Sequence, residues 1–302
     1  MEQAVTCELL LYADDSCLLF QHSDVKEIER VLTSNFSSLC DWFVDNKLSI
    51  HFGDDKTKTI LFSSKSKAKN ADSLNILYKD INIKQHTSVK YLGCILDQCL
   101  SGETMATEVI NKISGRLKFL YRKNRFLTPQ LRRLLCNSLI QPHFDYALSA
   151  WYMNLDKGYK EKLNVMQRKC IRFCLMKDSR STIGLKDFVD INWLPVERRA
   201  NLINASLVYK FFNKSSPSYM NYVFTPISQY GVTKEKNFQR LAVPSRKTEM
   251  GKQTLSFLGP TLWNPLPKEL KKCSNINSFK DALKSHYFDL MNASDRDIYV
   301  YY

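Results

Sequence analysis

Long apolar runs are missing from this sequence of 302 residues. None approaches the roughly 20 residues that span a bilayer, and the start, Met1 to Thr6, lacks the charged segment of a signal peptide. C-x-x-C pairs are missing as well, although the chain has nine cysteines. Scattered thiols of this kind indicate a reducing compartment rather than disulfides or a zinc site. The sequence therefore predicts an intracellular protein with no membrane span, and it leaves the choice between nucleus and cytoplasm open.

Acidic residues are missing between Glu108 and Asp145, although the whole chain carries 30 of them. This stretch contains eight basic residues, Lys112, Arg116, Lys118, Arg122, Lys123, Arg125, Arg132 and Arg133. Interleaved with them are the aromatic residues Phe119, Tyr121 and Phe126. A solvated helix face is the alternative, but such faces usually mix both signs of charge. The pattern therefore favours binding to the phosphate backbone of a nucleic acid.

The net charge of +14 is distributed unevenly along the chain. Residues 1–97 carry 11 Lys and Arg against 14 Asp and Glu, whereas residues 98–302 carry 33 against 16. The basic character that favours nucleic acid therefore belongs to the second part of the chain.

Two adjacent carboxylates stand in the tetrapeptide Tyr12-Ala13-Asp14-Asp15, between apolar runs at residues 9–11 and 17–20. Near-continuous apolar runs are typical of strands buried on both faces, so the pattern predicts two buried strands joined by a short acidic turn. Asp14 and Asp15 repel each other unless a cation lies between them, and a hard divalent ion such as Mg²⁺ prefers oxygen ligands. An ordinary hairpin turn is the alternative, since aspartate favours such positions.

The first 97 residues predict an α+β unit. A helix is expected from about 24 to 45, because Asp24 and Glu27 form a capping signal and apolar residues follow at helical spacing. The other expected elements are strands at 48–52, 59–62 and 89–96, a hairpin over 75–84 with its turn at Lys79-Asp80, a turn at 53–55, and an exposed loop over 63–70.

From residue 101 the apolar residues recur at helical spacing. Helices are predicted over residues 106–122, 129–151, 155–176, 196–213 and 278–290. Thr128 and Pro129 mark the start of the second of these, as an N-cap and a first-turn proline. Beyond residue 215, six prolines predict a less regular region.

Three motifs occur in the order and at the spacing found in reverse transcriptases. Residues 12–15 match motif C, the Tyr-x-Asp-Asp box of the polymerase palm. Residues 46–49 with 55–58 are similar to motif D, and residues 89–93 resemble motif E, the primer grip.

Further segments resemble one family of these enzymes. Residues 122–127 and 139–146 resemble the thumb, and residues 256–267, with Gly259-Pro260 and Leu262-Trp263-Asn264, resemble the C-terminal tail. Nearly the whole chain thus resembles the C-terminal portion of a non-LTR retrotransposon reverse transcriptase of the jockey-like and chicken-repeat-like kind. The resemblance implies part of the palm at 1–98, a mainly helical thumb-like region at 99–180, and a C-terminal region of unknown role at 181–302.

The resemblance also implies a chemistry. Reverse transcriptases add deoxynucleotides to a DNA primer on an RNA template, using two Mg²⁺ ions that hold the primer 3′ oxygen and the incoming triphosphate in line. Asp14 is implied as a direct metal ligand, and Asp15 as a weaker or supporting one. Lys56 is implied near the departing pyrophosphate, where a cation stabilises developing charge. An ordinary surface lysine is the alternative for Lys56, and Lys47 and Lys58 are rivals for its role.

Tyr91, Leu92 and Gly93 are implied to hold the primer end, with the glycine permitting close approach of the backbone. A glycine that marks a β-bulge is the alternative. His143 and Asp145 are two residues apart in a predicted helix and do not share a face, so we interpret them as packing residues rather than an acid-base pair.

The match departs from the family at its start. Only eleven residues precede motif C, whereas the fingers, the strand with the first metal-binding aspartate and the nucleotide-selecting segment are expected upstream. The sequence therefore predicts a fragment that is inactive alone. Its Met1 is then an internal methionine of a longer ancestor, and the chain is a truncated element copy or an incomplete gene model.

One alternative is a non-catalytic nucleic-acid-binding remnant that uses the basic helices. Another is a chain whose uncovered apolar faces prevent stable accumulation. Template preference, insertion target and oligomeric state stay open.

Overall fold

A computed structural model describes residues 5–53, 56–68, 73–227 and 239–293. The chain forms two compact units, Met1–Met105 and Ala106–Tyr302. The first combines small sheets with helices, and the second is built almost entirely of helices. The predicted α+β class is confirmed, while the assignment of these parts to a palm and a thumb stays a prediction.

The first unit contains three antiparallel hairpins. Their strands are β1 (Glu8–Tyr12) and β2 (Asp15–Leu19), β3 (Ile76–Tyr78) and β4 (Ile81–Ile83), and β5 (Ser88–Tyr91) and β6 (Cys94–Asp97). Each pair closes over two residues, since Tyr12 pairs with Asp15, Tyr78 with Ile81, and Tyr91 with Cys94. The hairpin predicted over 75–84, with its turn at Lys79-Asp80, is confirmed.

Two helices accompany these hairpins, α1 (Val25–Asp45) and the short α2 (Lys65–Ala68). The Asp24 carboxylate accepts a hydrogen bond from the Lys26 amide at 3.0 Å, which caps α1 as predicted. α1 packs on β3, and the core of the unit includes Ile28, Leu39 and Ile76. The predicted helix is therefore confirmed.

Three predictions between residues 48 and 70 are corrected. Residues 48–52 form no strand, because Phe52 packs its ring against Phe36 and Tyr78, at 6.3 and 5.7 Å between centroids, instead of pairing with a neighbour. Residues 59–62 contain only an isolated bridge from Thr59 to Gln85. The loop predicted over 63–70 includes α2 in its described part. Asp54, Asp55, Lys69 and Asn70 lie outside the described residues.

Two predictions about strands are also corrected. Residues 89–96 form the hairpin β5–β6 rather than one strand, because Leu92 and Gly93 both have positive φ and reverse the chain. The strands β1 and β2 are not buried, and Leu10, Leu11 and Leu19 are 39%, 47% and 41% exposed. In the described residues no third strand pairs with this hairpin, so its apolar side chains lack the cover that a larger sheet provides.

The second unit is helical, and its first helix, α3, begins just before the unit boundary. The helices are α3 (Glu103–Arg122), α4 (Pro129–Leu139), α5 (Gln141–Asp145), α6 (Leu148–Trp151), α7 (Lys157–Leu175), α8 (Leu185–Asp190), α9 (Val196–Phe212), α10 (Met220–Val223), α11 (Glu249–Lys252), α12 (Leu255–Trp263), α13 (Lys268–Lys271) and α14 (Ile276–Ala293). A 3₁₀ turn, Asn124–Phe126, joins α3 to α4. None of the helices in the described part of the chain is both long and apolar enough to cross a membrane.

The single helix predicted over 129–151 is instead three helices. α4 starts where predicted, with the Thr128 hydroxyl accepting from the Leu131 amide. Pro142 cannot donate a backbone hydrogen bond, and Ala147 has a φ of 49°, so the chain turns twice before residue 151. The other four predicted helices are present with shifted ends.

The main core of the second unit lies where α9, α12 and α14 pack together. The tail motif at 256–267 belongs to this core. Trp263 is fully buried and donates from Nε1 to the Gln239 carbonyl, and the Asn264 side chain bonds both the amide and the carbonyl of Leu241. Gly259 lies against Phe224. These contacts give the tail motif a structural role.

Candidate metal-binding turn and nucleic-acid interface

The two adjacent aspartates lie at the tip of the β1–β2 hairpin. Ala13 and Asp14 form its two-residue loop, and Asp15 is the first residue of β2. Ala13 has a φ of 52°, a left-handed conformation that costs a non-glycine residue free energy. Both aspartates are exposed, so the hairpin presents two carboxylates to solvent on a tight turn.

A side chain of α1 anchors the start of this hairpin. The Asn35 Oδ1 atom accepts hydrogen bonds from the amides of Thr6 and Cys7 and from the Thr6 hydroxyl. Its Nδ2 atom donates to the Val31 carbonyl, and the residue is 5% exposed. Since every polar atom of this buried amide is used, Asn35 fixes β1 against the helix. This role of Asn35 could not be predicted from the sequence, because an asparagine inside a helical pattern is usually a surface residue.

The motif E hairpin and the acidic turn belong to the same unit. Burial raises the pKa of Tyr91, and the charges of Cys17 and Asp15 raise it further. The acidic turn therefore acts electrostatically on the motif E hairpin, although Asp15 and Tyr91 are 76 positions apart in the sequence.

The turn of the motif E hairpin is formed by Leu92 and Gly93, with φ values of 45° and 78°. Because Tyr91 pairs directly with Cys94, no extra residue interrupts the ladder, and the glycine serves a two-residue turn rather than a bulge. Leu92 and Gly93 are exposed, so the backbone of this turn is accessible.

The two carboxylates are the type of ligand that Mg²⁺ prefers, but they are too few to form its site. Aspartate oxygens are the hard donors that Mg²⁺ prefers. In the described residues, however, no group of three or more His, Cys, Asp or Glu side chains is arranged to hold a metal. Two adjacent aspartates could supply only part of the ligand set of a metal ion, and further protein ligands would have to come from elsewhere.

Lys56 follows α1 in an exposed segment, with its amide bonded to the Gly53 carbonyl at 2.9 Å. Among the described residues, no ion pair within 4.0 Å joins its ammonium group to Asp14 or Asp15.

Seven of the eight basic residues predicted to bind nucleic acid are exposed: Lys112, Arg116, Lys118, Arg122, Lys123, Arg125 and Arg133. Two of them also have contacts within the protein. Lys112 pairs with Glu108 at 3.0 Å, and Arg116 donates to the Leu139 carbonyl at 2.6 Å. The others extend along the end of α3, the 3₁₀ turn and the start of α4.

Arg132 differs from these seven, because it is 4% exposed. Its guanidinium donates to the carbonyls of Leu127, Asn124 and Phe173 at 3.0, 3.0 and 3.3 Å, and stacks 5.1 Å from the centre of the Phe173 ring. A side chain used in this way cannot reach a phosphate, so we exclude Arg132 from the interface. Sequence pattern alone could not separate it from its exposed neighbour Arg133.

His143 and Asp145 do not form an acid-base pair. The Asp145 carboxylate is held by Arg199, which donates from Nε and Nη2 at 2.7 and 2.5 Å. His143 is half-buried, and its pKa is lowered by burial and by the positive charges of Arg116 and Lys112. Both residues thus take part in packing within the second unit.

Comparison with known proteins gives one informative similarity. The chain is 26% identical over 205 residues to the retrovirus-related Pol polyprotein from type-1 retrotransposable element R1 2 of Nasonia vitripennis. The match covers 63% of this chain and 48% of that protein, so the chain spans about half the length of the curated relative. No family model and no solved structure matches the chain. The similarity supports an origin of this chain in a non-LTR retrotransposon.

Proposed function

We propose that this chain is part of an RNA-directed DNA polymerase of a non-LTR retrotransposon, contributing the motif C to motif E portion of the palm and a basic thumb-like region. One observation carries the proposal most directly. The Tyr12-Ala13-Asp14-Asp15 turn is presented at the tip of an exposed hairpin, with both carboxylates open to solvent. The similarity to a retrotransposon Pol polyprotein supports the same function.

The proposed roles follow from chemistry and position. Asp14, in the loop, is the direct ligand of Mg²⁺, and Asp15 supports it from the first position of β2. When bound, metal ions neutralise charge on the attacking and leaving oxygens of nucleotidyl transfer. The turn of Tyr91, Leu92 and Gly93 contacts the primer end, where the exposed glycine lets a sugar-phosphate approach the backbone. Lys56 remains a candidate for contact with pyrophosphate.

The proposed partners are an RNA template and a DNA primer, held through the seven exposed cations of α3, the 3₁₀ turn and α4. Deoxynucleoside triphosphates are the proposed substrates of the intact enzyme. Because the described residues contain no group of three or more side chains that could hold a metal ion, we propose that this chain does not polymerise by itself. A two-metal site needs ligands that fix both ions in line, and two adjacent aspartates cannot do so alone.

A second candidate function is nucleic-acid binding without catalysis. The observation that favours it is the concentration of exposed cations in an acid-free stretch, which is independent of the aspartates. Under this alternative, Asp14 and Asp15 form an ordinary turn with no affinity for metal.

Primer extension and binding assays test both candidates. Incubated with an RNA template, a DNA primer, nucleotides and Mg²⁺ or Mn²⁺, the chain should show no synthesis above that of the Asp14→Ala, Asp15→Ala double variant. Synthesis above this control would contradict the inactivity of the isolated chain. Affinity for the primer-template should fall steeply as salt rises, through counterion release. A salt-insensitive or absent interaction would refute the nucleic-acid interface common to both candidates.

A further inference from the structure

Phe126 exposes an apolar aromatic ring to solvent. It closes the 3₁₀ turn between α3 and α4 and is 67% exposed. A phenylalanine so exposed gains only a small part of the free energy that full burial would provide. Three of the four residues before it in the sequence are cationic: Arg122, Lys123 and Arg125.

The backbone beneath Phe126 is fixed from inside the protein. The Phe126 amide donates to the Lys123 carbonyl at 3.0 Å, and the Leu127 amide donates to the Asn124 carbonyl at 3.1 Å. Arg132, buried beneath the turn, binds the carbonyls of Asn124 and Leu127 on either side of Phe126. It also binds the Phe173 carbonyl at the end of α7. The exposed ring therefore projects from a turn that is clamped at both ends.

The positively charged residues around Phe126 favour an anionic ligand. The Arg125 guanidinium lies 4.8 Å from the centre of the Phe126 ring, close enough for a cation-π contact. No acidic residue occurs within 17 positions before Phe126 or 18 positions after it. Positive charge around a fixed aromatic ring is the combination that holds a polynucleotide, with cations on the phosphates and a base on the ring.

We propose that the 3₁₀ turn Asn124–Phe126 is a stacking platform for an unpaired base of a single-stranded nucleic acid. Phe126 stacks on the base, and Arg122, Lys123, Arg125 and Arg133 neutralise the neighbouring phosphates. The proposal rests on the nucleic-acid interface proposed above and adds the class of ligand. The ring needs an unpaired base because both faces of a base in a duplex are covered by its neighbours.

Oligonucleotides that contain 2-aminopurine test the proposal, since the fluorescence of this base reports stacking. Single-stranded DNA, single-stranded RNA and a blunt duplex of the same sequence would be titrated with the full chain, and affinity measured by anisotropy. The variants are Phe126→Ala, which removes the ring, Phe126→Leu, which keeps apolar bulk, and Phe126→Tyr, which keeps the ring. Phe119→Ala is the matched control, because Phe119 is 56% exposed on α3 in the same acid-free stretch.

The expected result is a change in 2-aminopurine fluorescence on binding to single strands, which Phe126→Ala and Phe126→Leu abolish and Phe126→Tyr retains. Affinity for single strands should fall about fivefold or more in the first two variants, with little change for the duplex and with the salt dependence preserved. Comparison of the DNA and RNA arms identifies which strand the platform prefers.

Single-strand affinity that is unchanged in Phe126→Ala, or reduced equally in Phe119→Ala, would overturn the platform while leaving the proposed polymerase interface intact. Absence of binding to any nucleic acid would overturn both. The thermal unfolding of each variant should match that of the parent chain, because Phe126 lies outside the core.

Discussion

The Asp15 carboxylate raises the pKa of Tyr91, although the two residues belong to different hairpins. Burial is the largest cause of this rise, the charge of Cys17 is the next, and Asp15 adds to both by opposing ionisation of the phenol. The Tyr91 pKa therefore reports on the charge of Asp15 in the acidic turn.

Replacement of Asp15 by Asn should lower the Tyr91 pKa towards its ordinary value, because it removes one of the negative charges that oppose ionisation. The Tyr91 pKa would be read from the NMR chemical shifts of the ring during titration to high pH. Asp14→Asn is the control, since Asp14 does not contribute to the shift of Tyr91. Equal effects of the two variants would contradict the arrangement described.

Two glycines in helices should respond oppositely to alanine. In α3, a Cβ at Gly115 would meet no neighbouring atom within 4 Å, so Gly115→Ala should raise the free energy of unfolding by about 0.5–1 kcal/mol. In α12, a Cβ at Gly259 would lie 2.5 Å from the Phe224 ring, so Gly259→Ala should lower it by about 1–3 kcal/mol. Urea unfolding followed by tryptophan fluorescence measures both. Destabilisation by Gly115→Ala, or a neutral Gly259→Ala, would show that the packing differs.

Arg132 and Arg133 are adjacent in sequence and should behave differently. Arg132→Met should lower the free energy of unfolding by roughly 2 kcal/mol or more, because it removes three internal hydrogen bonds, to the carbonyls of Asn124, Leu127 and Phe173, together with the contact to the Phe173 ring. Arg133→Met should change stability by less than about 0.5 kcal/mol and should instead reduce the salt dependence of nucleic-acid binding. If both variants lost stability equally, Arg132 would not have the separate internal role assigned to it.

His143 should make the second unit less stable in mild acid. Its pKa in the folded chain lies below its ordinary value of 6.5, owing first to burial and then to Arg116 and Lys112. As pH falls below about 6.5, the unfolded chain therefore takes up the proton first, and the free energy of unfolding falls until the folded pKa is passed. Its contribution is fully present above the unfolded pKa.

Urea unfolding of the parent chain and of His143→Gln at several pH values between 7.5 and 5 measures this effect. The parent should lose more stability over this range than the variant, because only the parent carries the titrating imidazole. His286→Gln, on α14, controls for removal of an imidazole elsewhere in the unit. An equal pH dependence in the parent and in His143→Gln would refute the assignment to His143.

Local sequence signals predicted those elements whose causes are local. Asp24 and Thr128 accept the amide hydrogen bonds expected of N-caps, and the Lys79-Asp80 turn closes the hairpin where alternation predicted it. The strand predicted at 48–52 failed because a strand needs a partner, and alternation in one segment does not show whether a partner exists. The Phe52 ring finds its contacts with Phe36 and Tyr78 instead.

Prediction of the candidate site from sequence is limited in the same way, because part of the site depends on contacts between distant segments. The acidic turn and the motif E residues could be identified from spacing and composition, yet the effect of Asp15 on the Tyr91 pKa depends on the tertiary structure. Likewise, Arg132 and Arg133 are the same residue type and stand next to each other in the sequence. Only the fold shows that Arg132 is buried and Arg133 is exposed. Sequence thus located the residues, while burial and pairing decided which of them face solvent.

A titration with Mn²⁺ followed by amide NMR tests the central claim most directly, because paramagnetic Mn²⁺ broadens the signals of residues close to its binding site. We expect residues 12–16 to broaden first in the full chain, and this selective broadening to disappear in the Asp14→Ala, Asp15→Ala double variant. Broadening that is absent from this turn, or that persists unchanged in the double variant, would contradict the claim that Tyr12-Ala13-Asp14-Asp15 is part of a polymerase metal site.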